Sequence, residues 1–128
     1  MHYPATNAVE ISTNAPALAQ KVAGALVAVV SEKLGQGGTP RVCLTGGRIA
    51  EQLHEAIARS RSASELLWEH VEWWWGDERF VPSGSEQRND VMAQRSLFDR
   101  IQITPQKVHS MPASDDSFRT IQDAADSY

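Results

Sequence analysis

The sequence has a single cysteine, Cys43, among its 128 residues. That excludes an internal disulfide and a cysteine-rich zinc site, and it fits the reducing cytoplasm, where the protein is expected. Charge of one sign is not in excess: 12 Lys and Arg stand against 16 Asp and Glu, a net charge of -4. No general attraction to nucleic acid or to an anionic membrane is therefore expected, although a local basic site for a small anion is compatible with this balance. Long hydrophobic runs are missing as well. The longest apolar-rich stretch, Val22 to Val30, is too short and too interrupted to span a bilayer. The start, Met1-His2-Tyr3-Pro4, has no basic segment leading into an apolar one and does not read as a signal peptide. There is no Gly-x-Ser-x-Gly elbow, no nucleotide phosphate loop, and no histidine pair at the helical spacing of a metal site.

What is present is the composition of an ordinary globular domain, 41% hydrophobic and 22% charged, at a length suited to one core. Val9 to Ser12 alternate like a short strand. Asn14 and Pro16 mark a helix start, and Leu18, Val22, Leu26, Val29 and Val30 recur at helical spacing up to a stop at Gly35. Arg41 to Thr45 reads as a buried strand, Gly46-Gly47 as a tight turn, and Ile49, Leu53 and Ile57 as the next helix. Ser64 to Trp68 is expected to form a helical turn and Val71 to Trp75 a second central strand. A polar loop from Pro82 to Arg88 precedes a helix over 91–100, capped by Asn89 or Asp90. Val108 to Met111 reads as a third strand, and a last helix runs from Ser117 to Tyr128, capped by Asp116. Strands alternating with helices predict a parallel α/β sheet. The last helix meets Tyr128 with no glycine and no polar tail, so the pattern is expected to continue beyond it.

Three segments are candidates for chemistry. In Leu44-Thr45-Gly46-Gly47-Arg48, glycines between a strand and a helix permit unusual backbone angles and close approach. The helix N-terminus then offers free N–H groups to a phosphate or carboxylate, and Arg48 adds a full charge. The alternative is a turn that needs glycine only for shape. In Trp73-Trp74-Trp75-Gly76-Asp77-Glu78-Arg79, three charged residues follow a strand end, where ligands of parallel α/β sheets bind. Arg79 can grip a phosphate with its planar fork, and Asp77 or Glu78 can accept sugar hydroxyls or orient another group. The alternative is a solvated loop with an internal salt bridge, and the tryptophans read as core. In Arg88-Asn89, the amide either caps the following helix or reaches a ligand. Of the four histidines, His54 lies off the apolar stripe of its helix and is expected to be exposed. His2, His70 and His109 carry no pattern of a general base.

Together these segments resemble the 6-phosphogluconolactonase family. Leu44-Thr45-Gly46-Gly47 is similar to its Ser/Thr-Gly-Gly turn. Val71 to Arg79, followed by Val81-Pro82, resembles its hydrophobic strand, Trp-Gly-Asp-Glu-Arg and Val-Pro signature. Arg88-Asn89 with Met92-Ala93 and Leu97 is similar to its Ser-Asn segment and helix, and Ile103 to Pro112 to the approach to its next strand. The resemblance implies a Rossmann-like, three-layer parallel sheet with helices on both faces, here truncated, so that residues 1–128 form the N-terminal part of one domain. It implies hydrolysis of 6-phosphoglucono-1,5-lactone to 6-phosphogluconate in the oxidative pentose phosphate pathway, with a small phosphorylated sugar lactone as partner and no metal or organic cofactor. By position, Thr45, Gly46, Gly47, Arg48, Arg79 and Asn89 are the expected substrate-binding residues, with Arg79 on the phosphate and Asp77 organising the site. The family's catalytic histidine sits in a Gly-x-Asp-Gly-His pattern that does not occur in these 128 residues. A second departure is Arg48-Ile49-Ala50, where relatives place a small hydroxyl residue after the double glycine.

Two other functions fit the same residues. A sugar-phosphate binder without turnover predicts binding that depends on Arg79. A sugar-phosphate isomerase or deaminase on the same fold predicts amino-sugar phosphate turnover, and the Trp-Gly-Asp-Glu-Arg segment speaks against it. A truncated sheet is also expected to self-associate through its open edges and apolar faces.

Overall fold

The structure, a computed structural model, describes residues 8–128, so the Met1 to Pro4 segment lies outside the described residues. Helix α1 (Ala15–Gly35) begins where Asn14 accepts a hydrogen bond from the Ala17 amide at 2.8 Å, with Pro16 in its first turn. Strand β1 (Arg41–Leu44) leads through the double glycine into α2 (Arg48–Arg59) and the single turn α3 (Arg61–Ser64), whose cap is Ser60. A 3-10 turn (Trp68–His70) precedes strand β2 (Glu72–Trp75). Helix α4 (Asn89–Ala93) continues as a π-helical turn over Gln94–Phe98, a second 3-10 turn covers Pro105–Lys107, and α5 (Ile121–Ser127) ends the chain. Among these helices none is long and apolar enough to cross a membrane.

The expected α/β architecture with a parallel sheet is present. β1 and β2 pair in parallel, with Val42 opposite Trp73 and Leu44 opposite Trp75. Those four side chains point to one face and pack into a single core with Ala19, Ala23, Val27 and Val30 of α1, Ile57 of α2, and Ala93, Leu97 and Phe98 of the α4 segment. Trp73 is its centre, stacked on Trp68 at 5.7 Å and edge-on to Phe98 at 5.1 Å. The opposite sheet face has exposed Arg41 and Cys43, with Arg41 bonded across the ladder to Glu72 at 2.9 Å. There, Trp74 is covered by the ring of His109 at 3.9 Å and by Tyr128.

Several local expectations are corrected. Residues 9–12 form no strand; Val9 and Ile11 are 87% and 91% exposed, because alternation makes a strand only where a partner edge exists. The expected third strand is reduced to one bridge between Trp73 and Val108. His109 donates its amide to the Trp73 carbonyl at 2.8 Å, as a ladder would. The next ladder bond is interrupted by the Tyr128 hydroxyl, which accepts from the Trp75 amide at 2.8 Å and donates to the His109 carbonyl at 2.9 Å. α5 starts later than the pattern suggested and is capped by Thr120; Asp116 instead accepts from the Ala113 amide.

His54, expected to be exposed, is 1% exposed. Of the apolar stripe of α2, Ile57 is buried while Ile49 is exposed; α1 packs on one side of α2, and the α4 segment packs on another and covers His54. Its Nδ1 lies 2.9 Å from the Ser96 hydroxyl, which donates to the Met92 carbonyl at 2.7 Å. That back-bond falls where the helix widens to a π turn, with the Asp99 amide on the Gln94 carbonyl. Burial holds the imidazole pKa down at about 4, against a smaller upward pull from Glu51.

Candidate functional site at the strand ends

Because β1 and β2 are parallel and Leu44 is opposite Trp75, both chains leave the sheet at the same end. Thr45-Gly46-Gly47 therefore emerges beside Gly76-Asp77-Glu78-Arg79, where parallel α/β sheets carry their ligands. Gly47 has φ +92°, a conformation that side chains rarely adopt, and it turns the chain into α2. No side chain caps α2, so the first-turn amides following Gly47 and the positive end of the helix dipole remain available to an anion.

Gly46 is needed for a different reason. A Cβ there would lie 2.0 Å from Oδ1 of Asn89. The Asn89 amide is packed into the place a side chain would fill, and its Nδ2 donates to the Asp77 carbonyl at 3.1 Å, with Asp77 Oδ1 at 3.5 Å. One buried amide thus locks the glycine turn to the loop after β2.

Glu78 is neither solvated nor aimed at a ligand. Its side chain is 2% exposed and accepts from the amides of Asn89 (2.7 Å), Asp90 (2.9 Å) and Arg79 (2.8 Å). It is the N-terminal cap of α4, supplied from another segment, a place where a carboxylate is favoured by the helix dipole. The cap expected from Asn89 or Asp90 is therefore corrected: both are helical residues that Glu78 caps, and the helix starts at Asn89. Arg88, also buried, forks onto Asp90 with Nε–Oδ1 and Nη2–Oδ2 both at 2.9 Å. That bond, with the nearby Glu78 and Asp116 charges, raises its pKa against the opposing effect of burial.

The expected residues fall into two sets. Gly46, Asp77 and Asn89 interlock. Thr45, Gly47 and Arg48 lie on the exposed turn into α2, and Arg79 is exposed on the neighbouring loop. Among the described residues, Arg48 and Arg79 form no ion pair, whereas Arg41, Arg59, Arg88 and Arg95 do. Arg48 stands at the free amides of α2, and Arg79 lines a cavity with Met111, Ile121 and Tyr128; each guanidinium is suited to a phosphate or carboxylate. Sequence reasoning missed the roles of Glu78 and Arg88. The Arg88–Asp90 spacing carried a signal, since residues two apart at a helix entry can form a fork. The Glu78 cap, 11 residues from the first amide it caps in α4, carried none. Among the described residues no three His, Cys, Asp or Glu side chains gather as a metal site.

Comparison with known proteins agrees with this geometry. The family model "Glucosamine-6-phosphate isomerases/6-phosphogluconolactonase" matches residues 13–128. The 6-phosphogluconolactonase of Streptomyces coelicolor is 36% identical over 108 residues, covering 84% of this chain and 41% of the relative. That of Mycobacterium tuberculosis is 32% identical over 120 residues, covering 94% and 48%. The crystal structure of the Thermotoga maritima 6-phosphogluconolactonase superposes with a TM-score of 0.68 at 26% identity, covering 85% of this chain and 46% of that one. The chain spans about half the length of the curated relatives it matches. With its double-glycine turn, strand-end Asp-Glu-Arg loop and matched length, this chain belongs to the glucosamine-6-phosphate isomerase/6-phosphogluconolactonase family.

Proposed function

We propose that this chain is the N-terminal, substrate-binding part of a 6-phosphogluconolactonase, whose complete form hydrolyses 6-phosphoglucono-1,5-lactone to 6-phosphogluconate in the cytoplasm. The observation that carries the reading is that two strand-end cations form no ion pair among the described residues, Arg48 at the uncapped N-terminus of α2 and Arg79 on the neighbouring loop. Arg79 binds the phosphate through its guanidinium fork, and Arg48 with the amides after Thr45-Gly46-Gly47 completes the anion site. Asp77, steadied by Asn89, organises the sugar end, and Asn89 Oδ1 is an acceptor beside the turn.

Hydrolysis requires a base to take a proton from water as it attacks the lactone carbonyl, and donors for the oxyanion that forms. Anchoring the phosphate makes that attack effectively intramolecular. Binding without turnover is supported by two of the described histidines and by the sequence: His54 is bonded to Ser96, His109 is stacked on Trp74, and no Gly-x-Asp-Gly-His pattern occurs in these 128 residues. Taken alone, the chain binds the sugar phosphate and does not hydrolyse the lactone. Its open strand edges lead it to self-associate in isolation.

The test is calorimetric titration with 6-phosphogluconate, beside a lactone hydrolysis assay. The wild-type chain binds, and Arg79→Ala weakens binding at least tenfold, the loss of about 1.5–3 kcal/mol for a hydrogen bond to a charged group. Unchanged affinity in Arg79→Ala would refute the assignment. Release of ammonia from an amino-sugar phosphate would instead favour the deaminase branch of the family.

A further inference from the structure

Arg79 is held by its backbone on both sides while its side chain is left unengaged. Its N–H donates to Glu78 Oε1 at 2.8 Å, and its carbonyl accepts from Arg88 Nη1 at 3.1 Å. The same Arg88 guanidinium, with its side chain 1% exposed, reaches three segments. It forks onto Asp90 at the start of α4, donates to the Met111 carbonyl at 2.6 Å and the Pro112 carbonyl at 3.5 Å, and lies 3.8 Å from Glu78 Oε2. Glu78 in turn holds the Asn89 and Asp90 amides. We infer that Arg88 is a positioning residue of the anion site: it fixes the backbone of Arg79, and thereby the direction from which the Arg79 guanidinium meets a ligand. This rests on the anion-binding reading of Arg79 given above.

The chemistry requires arginine at position 88. Glu78, a buried carboxylate, also has a counter-charge in Arg88 at 3.8 Å. A lysine would keep the charge but has neither the planar fork for Asp90 nor enough separated donors for carbonyls on two other segments. Because Glu78 and Asp90 are both directed at Arg88, neither competes for Arg79. The buried arginine absorbs the local negative charge, and the exposed one stays available.

The experiment compares the wild-type chain with Arg88→Lys and with Ser83→Ala, which weakens a different tether of the same loop by removing the Ser83 hydroxyl bond to Asp115. Circular dichroism confirms folding, amide exchange reports the Arg79, Asn89 and Asp90 amides, and calorimetry gives the affinity for 6-phosphogluconate. The expected result is a folded Arg88→Lys with faster exchange at those amides and at least a tenfold loss of affinity, and a Ser83→Ala unchanged in both. A folded Arg88→Lys with wild-type affinity overturns the proposal, because a role confined to loop stability would change exchange alone. If Arg88→Lys does not fold, Asp90→Asn, which weakens the fork that holds Arg88 and leaves Glu78 in place, is measured instead with the same expected and overturning results. If the wild-type chain binds no 6-phosphogluconate, the anion-site reading falls, and the exchange data still decide separately: unchanged exchange in Arg88→Lys also removes Arg88 as the holder of Arg79.

Discussion

Gly46→Ala tests the interlock between the two strand-end loops. The backbone at Gly46 is not in the left-handed region, so an alanine brings no torsional strain of its own. The whole effect is steric. The new Cβ would stand 2.0 Å from Asn89 Oδ1, and ordinary contact begins at 3.4 Å, so the amide must retreat by about 1.4 Å. A retreat of that size takes Nδ2 out of reach of the Asp77 carbonyl, now 3.1 Å away. Overpacking of about 1–3 kcal/mol and the loss of one buried hydrogen bond at about 1 kcal/mol together predict about 2–4 kcal/mol of destabilisation. For a domain of this size that is a fall in melting temperature of roughly 8–16 °C. The assay is denaturant unfolding of a double-mutant cycle with Asn89→Ala. With the amide gone the alanine at 46 has room, so the double mutant should be little worse than Asn89→Ala alone, a coupling of at least 1 kcal/mol. A cost below about 0.5 kcal/mol for Gly46→Ala, or strict additivity of the two changes, would refute the interlock.

Three further outcomes are expected. The folded-state pKa of His54, about 4, lies below the ordinary 6.5, so the unfolded chain binds this proton more readily. Stability from this group is therefore complete above pH 6.5 and is lost as pH falls toward 4, by about 3 kcal/mol; a pH series of urea melts in which His54→Gln keeps the same slope between pH 6.5 and 4.5 would contradict it. Tyr128→Phe removes the hydroxyl that bridges Trp75 and His109. It should cost about 1 kcal/mol and speed amide exchange at Trp75, whereas unchanged exchange would mean the bridge does not hold these segments. Trp73→Ala empties the centre of the core and should cost at least 3 kcal/mol by chemical denaturation; a cost under 1 kcal/mol would place the core elsewhere.

Much of the fold was legible because its signals are local. Asn14, Pro16 and Gly35 bracket α1 by capping, a fixed proline torsion and a stop, and none of these depends on distant residues. β1 and β2 announce themselves as short apolar runs closed by glycine, and alternation with helices implies the parallel pairing that was found. Residues 9–12 and 108–111 show where such signals fail. Both have strand character, but a strand exists only when another edge supplies its hydrogen bonds. The first found none, and the second shares its edge with the Tyr128 hydroxyl.

At the candidate site, the linear order alone carries the family signature, the two glycines, and the presence of Asp77, Arg79 and Asn89 near strand ends. Their residue types state a chemistry wherever they lie, and the strand-turn-helix pattern states which end of the sheet they occupy. The division of the charges comes from the packing of the folded chain. Glu78 and Arg88 carry full charges and would be taken for solvated loop residues, yet both are buried and neutralise one another. Among the described residues, Arg48 and Arg79 form no ion pair. His54 followed the same rule, since its burial was set by a second helix packing on a side that the first helix's periodicity does not describe. A charge or an imidazole is assigned to structure or to ligand by what surrounds it in space, and those surroundings come from segments that the linear order keeps far apart.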